Sequence, residues 1–204
     1  IVRESCATGS VATVVSAMAG ITDELVAVGD AAARGEDTDE RVAAIRLRHR
    51  IAADDLLTGA EASSVATHVD ATIEELERLL QGTSLVGECS PRTRDRILSC
   101  GERMSARLLA AALRSLGAPA EFCDARELIV TDEAFGNAAV EMDATRSKIR
   151  SHFSGLGSTQ VVTGFIATGP SGATTTLGRG GSDYTASLLG AALDAECIEI
   201  WTDV

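Results

Sequence analysis

The chain has 204 residues, 45% of them hydrophobic, which is enough to bury a core and is ordinarily one domain or a large part of one. Its 30 acidic against 18 basic residues give a net charge of −12, with no basic run and no aromatic-basic interleaving, which speaks against nucleic acid as a partner. No apolar run reaches the roughly 18 residues of a membrane span, and the five cysteines (Cys6, Cys89, Cys100, Cys123 and Cys197) have no CxxC pair or nearby histidine to form a zinc site and read as reduced, buried thiols of a cytoplasmic protein.

In chain order, residues 10–17 form a short Val-rich run that fits a buried parallel strand. Gly20 then opens a turn into a helix capped by Thr22 or Asp23 and running through Leu25, Val26 and Val28 toward Gly35. A second helix starts between Asp37 and Asp39, with Val42, Ile45 and Ile51 on one face. A third carries Val69, Ile73, Leu76 and Leu80 at helical spacing. Residues 82–91 break the pattern, and a long helix over about residues 93–116 ends at Gly117, before Pro119. Residues 120–123 and 128–131 read as short strands and residues 145–153 as a helix. Residues 160–168 and 197–201 read as buried strands flanking a helix over 184–195. His49, His68 and His152 are scattered and read as surface or packing residues. The alternation predicts an α/β fold with an open, mainly parallel sheet sandwiched by helices, without internal repeats.

Residues 164–204 concentrate the chemistry. An apolar strand leads into a Gly/Thr/Ser loop with Arg179 and Asp183, then a helix, then an apolar run ending in Thr202 and Asp203. That order puts polar groups at strand carboxyl ends and at a helix amino terminus, where open α/β sheets bind anions. The loop is neither GxxxxGK[ST] nor GxGxxG, since Asp183 occupies the last glycine position, and a P-loop kinase is disfavoured. Phosphoryl transfer to a carboxylate needs no strong base, because the nucleophile is already ionised; it needs two anions brought together and neutralised. Arg179, set between glycines, suits a ligand α-carboxylate, and Glu102, after Gly101, suits an ammonium. Ser182 and the amides of Gly180 and Gly181 offer neutral donors at a helix start. Asp183 adds a negative charge suited to orienting a lysine or magnesium. By residue type alone, Asp183 and Ser182 also read as a helix cap, Glu102 as a solvated helix charge, and Ser16, Thr22 and Thr202 as strand-end and cap residues.

The loop at residues 177–186, LGRGGSDYTA, closely resembles the signature of aspartate kinases, which belong to the amino acid kinase family. Residues 14–23 (VVSAMAGITD), 95–106 (DRILSCGERMSA) and 200–204 (IWTDV) match that family in the same order, so the resemblance covers nearly the whole chain. It implies the amino acid kinase, or carbamate kinase-like, fold in incomplete form. It further implies ATP-dependent phosphorylation of the L-aspartate β-carboxylate to 4-phospho-L-aspartate, the entry step to lysine, threonine and methionine synthesis. Mg2+ would be carried by the nucleotide, with no protein-only metal site, and the protein would be a homo-oligomer. By the same resemblance Arg179 binds the α-carboxylate and Glu102 meets the amino group. Ser16 and Thr22 line the aspartate pocket, Asp183 positions the catalytic lysine, and Thr202 and Asp203 contact the nucleotide.

Aspartate kinases also begin with a Lys-Phe-Gly-Gly-Thr-Ser strand and loop whose lysine neutralises the transferring phosphate. The chain has no such segment, and Lys148, its sole lysine, lies in charged helical surroundings unsuited to that task. The expectation is therefore that residues 1–204 are one partial catalytic domain that lacks its true amino terminus, its remaining nucleotide-binding part and its regulatory domains, and that they are by themselves a poor catalyst. Two alternatives stay open. One is another amino acid kinase acting on glutamate, acetylglutamate or a nucleotide, against which the GRGGSD loop speaks; the other is a noncatalytic aspartate-binding regulatory subunit.

Overall fold

The computed structural model describes Val2 and residues 11–201. Strand β1 (Ala12–Val15) is followed by four helices, α1 (Ile21–Ala33), α2 (Asp39–Leu56), α3 (Gly59–Val86) and α4 (Pro91–Ser115). Then come β2 (Ala120–Cys123), a single 3-10 turn (Ala125–Glu127), α5 (Met142–Phe153), β3 (Thr159–Thr163), β4 (Ile166–Thr168), β5 (Thr174–Thr176) and α6 (Gly181–Leu193). Strands β1, β3 and β2 lie side by side in that order, all parallel, with Val15 opposite Thr163 and Cys123 opposite Val162. β4 and β5 make a separate antiparallel pair.

Side chains alternate across a strand, and β3 uses that alternation to build the layers. Val161 packs with Ala106, Ala110 and Leu113 of α4. Val162 faces the other way, onto Ile149 of α5 and Leu188 and Leu189 of α6. The sheet is thus covered on both faces, as its continuous apolar strands require. Beyond α4, a larger apolar cluster joins α1 to α4, with Ile73 and Leu76 fully buried in it. Each such side chain contributes about 2 kcal/mol of hydrophobic stabilisation. α3 and α4 run antiparallel, and Glu75 takes Arg96 and Arg103 while Glu61 takes Arg114 in a two-bond fork.

Local chemistry explains the ends of α4. Ser90 accepts from Thr93 N at 3.2 Å, with Pro91 opening the first turn. Gly117, at φ +81°, terminates the helix.

Several expectations need correction. α1 is capped by neither Thr22 nor Asp23; it starts from Gly20 with no side-chain cap. Ile51 is 52% exposed, and the buried face of α2 is instead Val42, Ile45, His49 and Ala53. α3 continues through Gly82 as far as Val86, because a helical glycine costs only about 1 kcal/mol while Leu80 and Thr83 around it are buried. The strand expected over residues 160–168 is broken at Gly164 and Phe165, where Phe165 takes φ +68° and turns the chain into β4. Residues 128–131 contribute only isolated bridges, Val130 to Thr168 and Thr131 to Val140. Residues 197–201 form no strand, and Ile198, Ile200 and Trp201 are exposed. A strand needs an edge to satisfy its backbone groups, and among the described residues this segment pairs with none.

The thiols divide. Cys100 and Cys123 are buried, and burial pushes both up to about 12, whereas Cys89 is half-buried and Cys197 is exposed. Cys6 lies outside the described residues. Of the histidines, His49 is fully buried and donates from Nδ1 to Ile45 O at 2.8 Å.

Candidate active site

Three segments meet at the carboxyl ends of β1 and β3. The first continues β1 through Ser16 and Ala17 to Gly20, whose φ of +76° swings the chain into α1. The second is the Gly164–Phe165 elbow after β3, tied to the first because Gly164 N donates to Val15 O at 2.8 Å. The third is the glycine loop leading into α6. Ser182, in the first turn of α6, sits so close to Gly164 that a Cβ there would lie 2.7 Å from its own Cβ. The elbow itself is held by Phe165 N donating to Thr185 Oγ1 at 3.1 Å and Leu177 N donating to Phe165 O at 2.9 Å.

α4 supplies the floor. Gly101 allows the approach: a Cβ at that position would lie 2.8 Å from Ala17 Cβ. The adjacent Glu102 is 3% exposed, so it is no solvated helix charge. Its Oε1 accepts from Ala17 N at 3.4 Å, while its buried Oε2 has no hydrogen-bond partner among the described residues. Burial pushes the Glu102 carboxyl up to about 7, against the opposing pull of backbone amides. One turn on, the Ser105 hydroxyl donates to Ser16 O. A buried carboxylate oxygen with no donor is costly, and a ligand cation would satisfy it.

Two helix amino termini open at this end. α1 begins at Gly20 and α6 at Gly180, φ +72°, and neither has a side-chain cap. Ser182 and Asp183 are therefore not the cap of α6. First-turn amides left without caps, together with the helix dipole, favour an anion. One expected donor drops out, because Gly181 N is already committed to Gly178 O at 3.1 Å. Arg179 is exposed on the loop and, among the described residues, makes no ion pair. Asp183 is likewise exposed, and Thr22 is half-buried in the first turn of α1.

The structure therefore gathers Ser16, Glu102 and Ser182 around Ala17 and Gly164, with Arg179, Gly180 and Asp183 on the same loop. Thr202 and Asp203 lie outside the described residues. Among the described residues, no group of three or more His, Cys, Asp or Glu side chains is placed to hold a metal ion. Two residues escaped the sequence reading. Arg48 of α2 brings a guanidinium nitrogen to 3.6 Å from where a Gly20 Cβ would sit. Asp95 of α4 is buried and bonded to Thr176, at the root of the glycine loop. The available signal for Asp95 was an acidic residue leading the apolar pair Ile97 and Leu98.

Comparison with known proteins agrees with the fold. The chain is 40% identical over 200 residues to aspartokinase 3, chloroplastic, of Arabidopsis thaliana, an alignment covering 94% of this chain and 35% of that protein. It is 37% identical over 201 residues to the lysine-sensitive aspartokinase 3 of Escherichia coli (strain K12), covering 94% of this chain and 42% of that one. The crystal structure of E. coli aspartokinase III in complex with aspartate and ADP superimposes with a TM-score of 0.89 at 32% identity, over 99% of this chain and 45% of that one. The chain thus spans less than half the length of these relatives. The family model for the amino acid kinase family matches residues 1–204, and the chain belongs to that family.

Proposed function

We propose that this chain is the aspartate-binding portion of an aspartate kinase, which transfers the γ-phosphoryl group of MgATP to the β-carboxylate of L-aspartate. The observation that carries this reading is Glu102, a carboxylate buried at the strand ends whose Oε2 has no partner among the described residues, together with a loop that presents Arg179, which makes no ion pair among them. An α-amino acid offers the matching pair of charges. Its ammonium satisfies Glu102, its α-carboxylate takes the Arg179 fork, and its side-chain carboxylate is left to face the uncapped amino terminus of α6.

In the transfer, a β-carboxylate oxygen forms the new bond to the γ-phosphorus while the bond from that phosphorus to the β,γ-bridging oxygen breaks. The products are 4-phospho-L-aspartate and ADP, with no net proton demand on a side chain. The work left to the protein is alignment and charge neutralisation. Ser182 and the Gly180 amide serve as neutral donors, Ser16 and Thr22 shape the pocket wall, and Asp183 orients a cation. Thr202 and Asp203 contact the nucleotide, Mg2+ arrives with it, and the working form is a homo-oligomer. The relative solved with aspartate and ADP supports this choice of ligands.

The test is a hydroxylamine-trapped acyl-phosphate assay on the full gene product with MgATP and either L-aspartate or L-glutamate. Hydroxamate from aspartate only is the expected result. Product from glutamate alone, or none from either acid, overturns the reading.

A further inference from the structure

Asp95 is 1% exposed, and among the described residues its carboxylate is met by three donors and no cation. Its Oδ2 accepts from Gly136 N at 2.9 Å and from Thr176 N at 2.9 Å, and its Oδ1 accepts from Thr176 Oγ1 at 2.8 Å. One side chain of α4 therefore joins two segments distant in sequence, the turn at residues 135–138 and the last residue of β5. Thr176 O in turn accepts from Ala138 N at 2.9 Å, closing the connection from the other side. The turn then reaches the loop directly. Asn137 packs against Gly178, whose φ is +73°, so tightly that a Cβ on Gly178 would collide with the Asn137 carboxamide. The next residue is Arg179.

We infer that Asp95 is a positioning residue for substrate binding: through Thr176 and the Gly136–Asn137 turn it sets where the Arg179 guanidinium stands. This inference rests on the reading of Arg179 as the partner of the substrate α-carboxylate. The arrangement on α4 supports it. Asp95 and Glu102 are seven residues apart, two turns along one helix face. The same rigid element thus carries the ammonium partner itself and the anchor of the carboxylate partner, and so fixes the distance between the two grips. A buried carboxylate without a cation is a costly way to fill space. Two backbone amides and a hydroxyl converging on it give that cost a purpose, because a neutral aliphatic residue would leave all three donors unpaired.

The experiment is steady-state kinetics on the full gene product for Asp95→Ala, Asp95→Asn, Arg179→Ala and the double variant Asp95→Ala/Arg179→Ala. Asp95→Ala should raise the aspartate KM about 10- to 100-fold, the scale of an ångström-level misplacement, with the ATP KM unchanged. Asp95→Asn should recover most of it, since the amide oxygen keeps the Gly136 and Thr176 N–H bonds and the Thr176 hydroxyl can turn to accept. The double variant should be no worse than Arg179→Ala alone, because Asp95 acts through that side chain. Additive losses in the double variant, or equal losses in the aspartate and ATP constants, would overturn the inference and leave a merely structural Asp95. If Asp95→Ala does not fold, Asn137→Ala carries the same expectation and the same double-variant test. A normal aspartate KM in Arg179→Ala sinks the pocket reading instead, so the two failures are distinguishable.

Discussion

At the scale of single residues, two opposite charges carry the proposed site, and each makes a separate demand. Arg179 stands exposed between glycines, where it serves neither a core nor a helix face. Arg179→Ala should raise the aspartate KM strongly, a loss of about 2 to 4 kcal/mol for a forked carboxylate contact, while leaving the ATP KM nearly intact; the steady-state constants decide it. Glu102 is the reverse case, a charge held in apolar surroundings with its carboxyl pushed up to about 7. It must be ionised to take an ammonium, so the aspartate KM should climb about tenfold per pH unit below that value and level off above it. Glu102→Gln should bind aspartate poorly with no such slope, as a pH series of the two proteins would reveal. The residue type alone read as a solvated helix charge, because nothing in the string GERMSA states which face of α4 is covered. Burial was decided by Gly101, which admits Ala17 and the Ile21 and Leu25 side chains of α1 against the helix.

At the scale of elements, close approach at glycine brings the pieces together. Gly164→Ala would place a methyl 2.7 Å from Ser182 Cβ and 3.0 Å from its Cα, a backbone atom that cannot rotate away. The amino terminus of α6 must then lift from the strand end. The expected outcome is a Tm several degrees lower and a raised aspartate KM together, measurable by thermal melting and kinetics; an unchanged KM would mean that α6 is not held by this contact. Helices were legible in the sequence where a stripe was long: Val69, Ile73, Leu76 and Leu80 are all buried as their spacing predicts. The strand order, with β3 between β1 and β2, was not legible, since pairing links residues some 40 to 150 apart that carry no local signal of their neighbours. The break at Phe165 was hidden for a related reason. A left-handed phenylalanine is a tertiary demand, imposed by Thr185 and Leu177, and no propensity forecasts it. Of the site, the loop stood out by residue type and the glutamate only through the family resemblance, whereas Asp95 did not stand out, because its meaning lies wholly in the two segments it joins.

At the scale of the whole molecule, the buried ionisable groups set how stability follows pH. Glu102, raised from 4.5 to about 7, binds its proton more tightly folded than unfolded, so its contribution favours folding in acid and is lost as pH rises through that window. The difference amounts to about 3 kcal/mol at full ionisation. His68 works the other way: burial, with Arg107 and Arg103 nearby, lowers it to about 4, so folding is favoured above its unfolded value and weakened as pH falls toward 4. The two slopes oppose each other between roughly pH 4.5 and 6.5. Glu102→Gln should therefore be more stable than the native chain at pH 8, converge with it near pH 4.5, and show the acid sensitivity of His68 uncompensated; denaturant melts across that range test it. The elbow at Phe165 has a further consequence at this scale. Its ring packs against the helical cluster of α1 to α4 and also against the cluster beneath α5 and α6. A side chain shared by two cores couples loosening of one to the other, so thermal opening of the helical layer should reach the strand ends, and a single cooperative melting transition is the expected outcome.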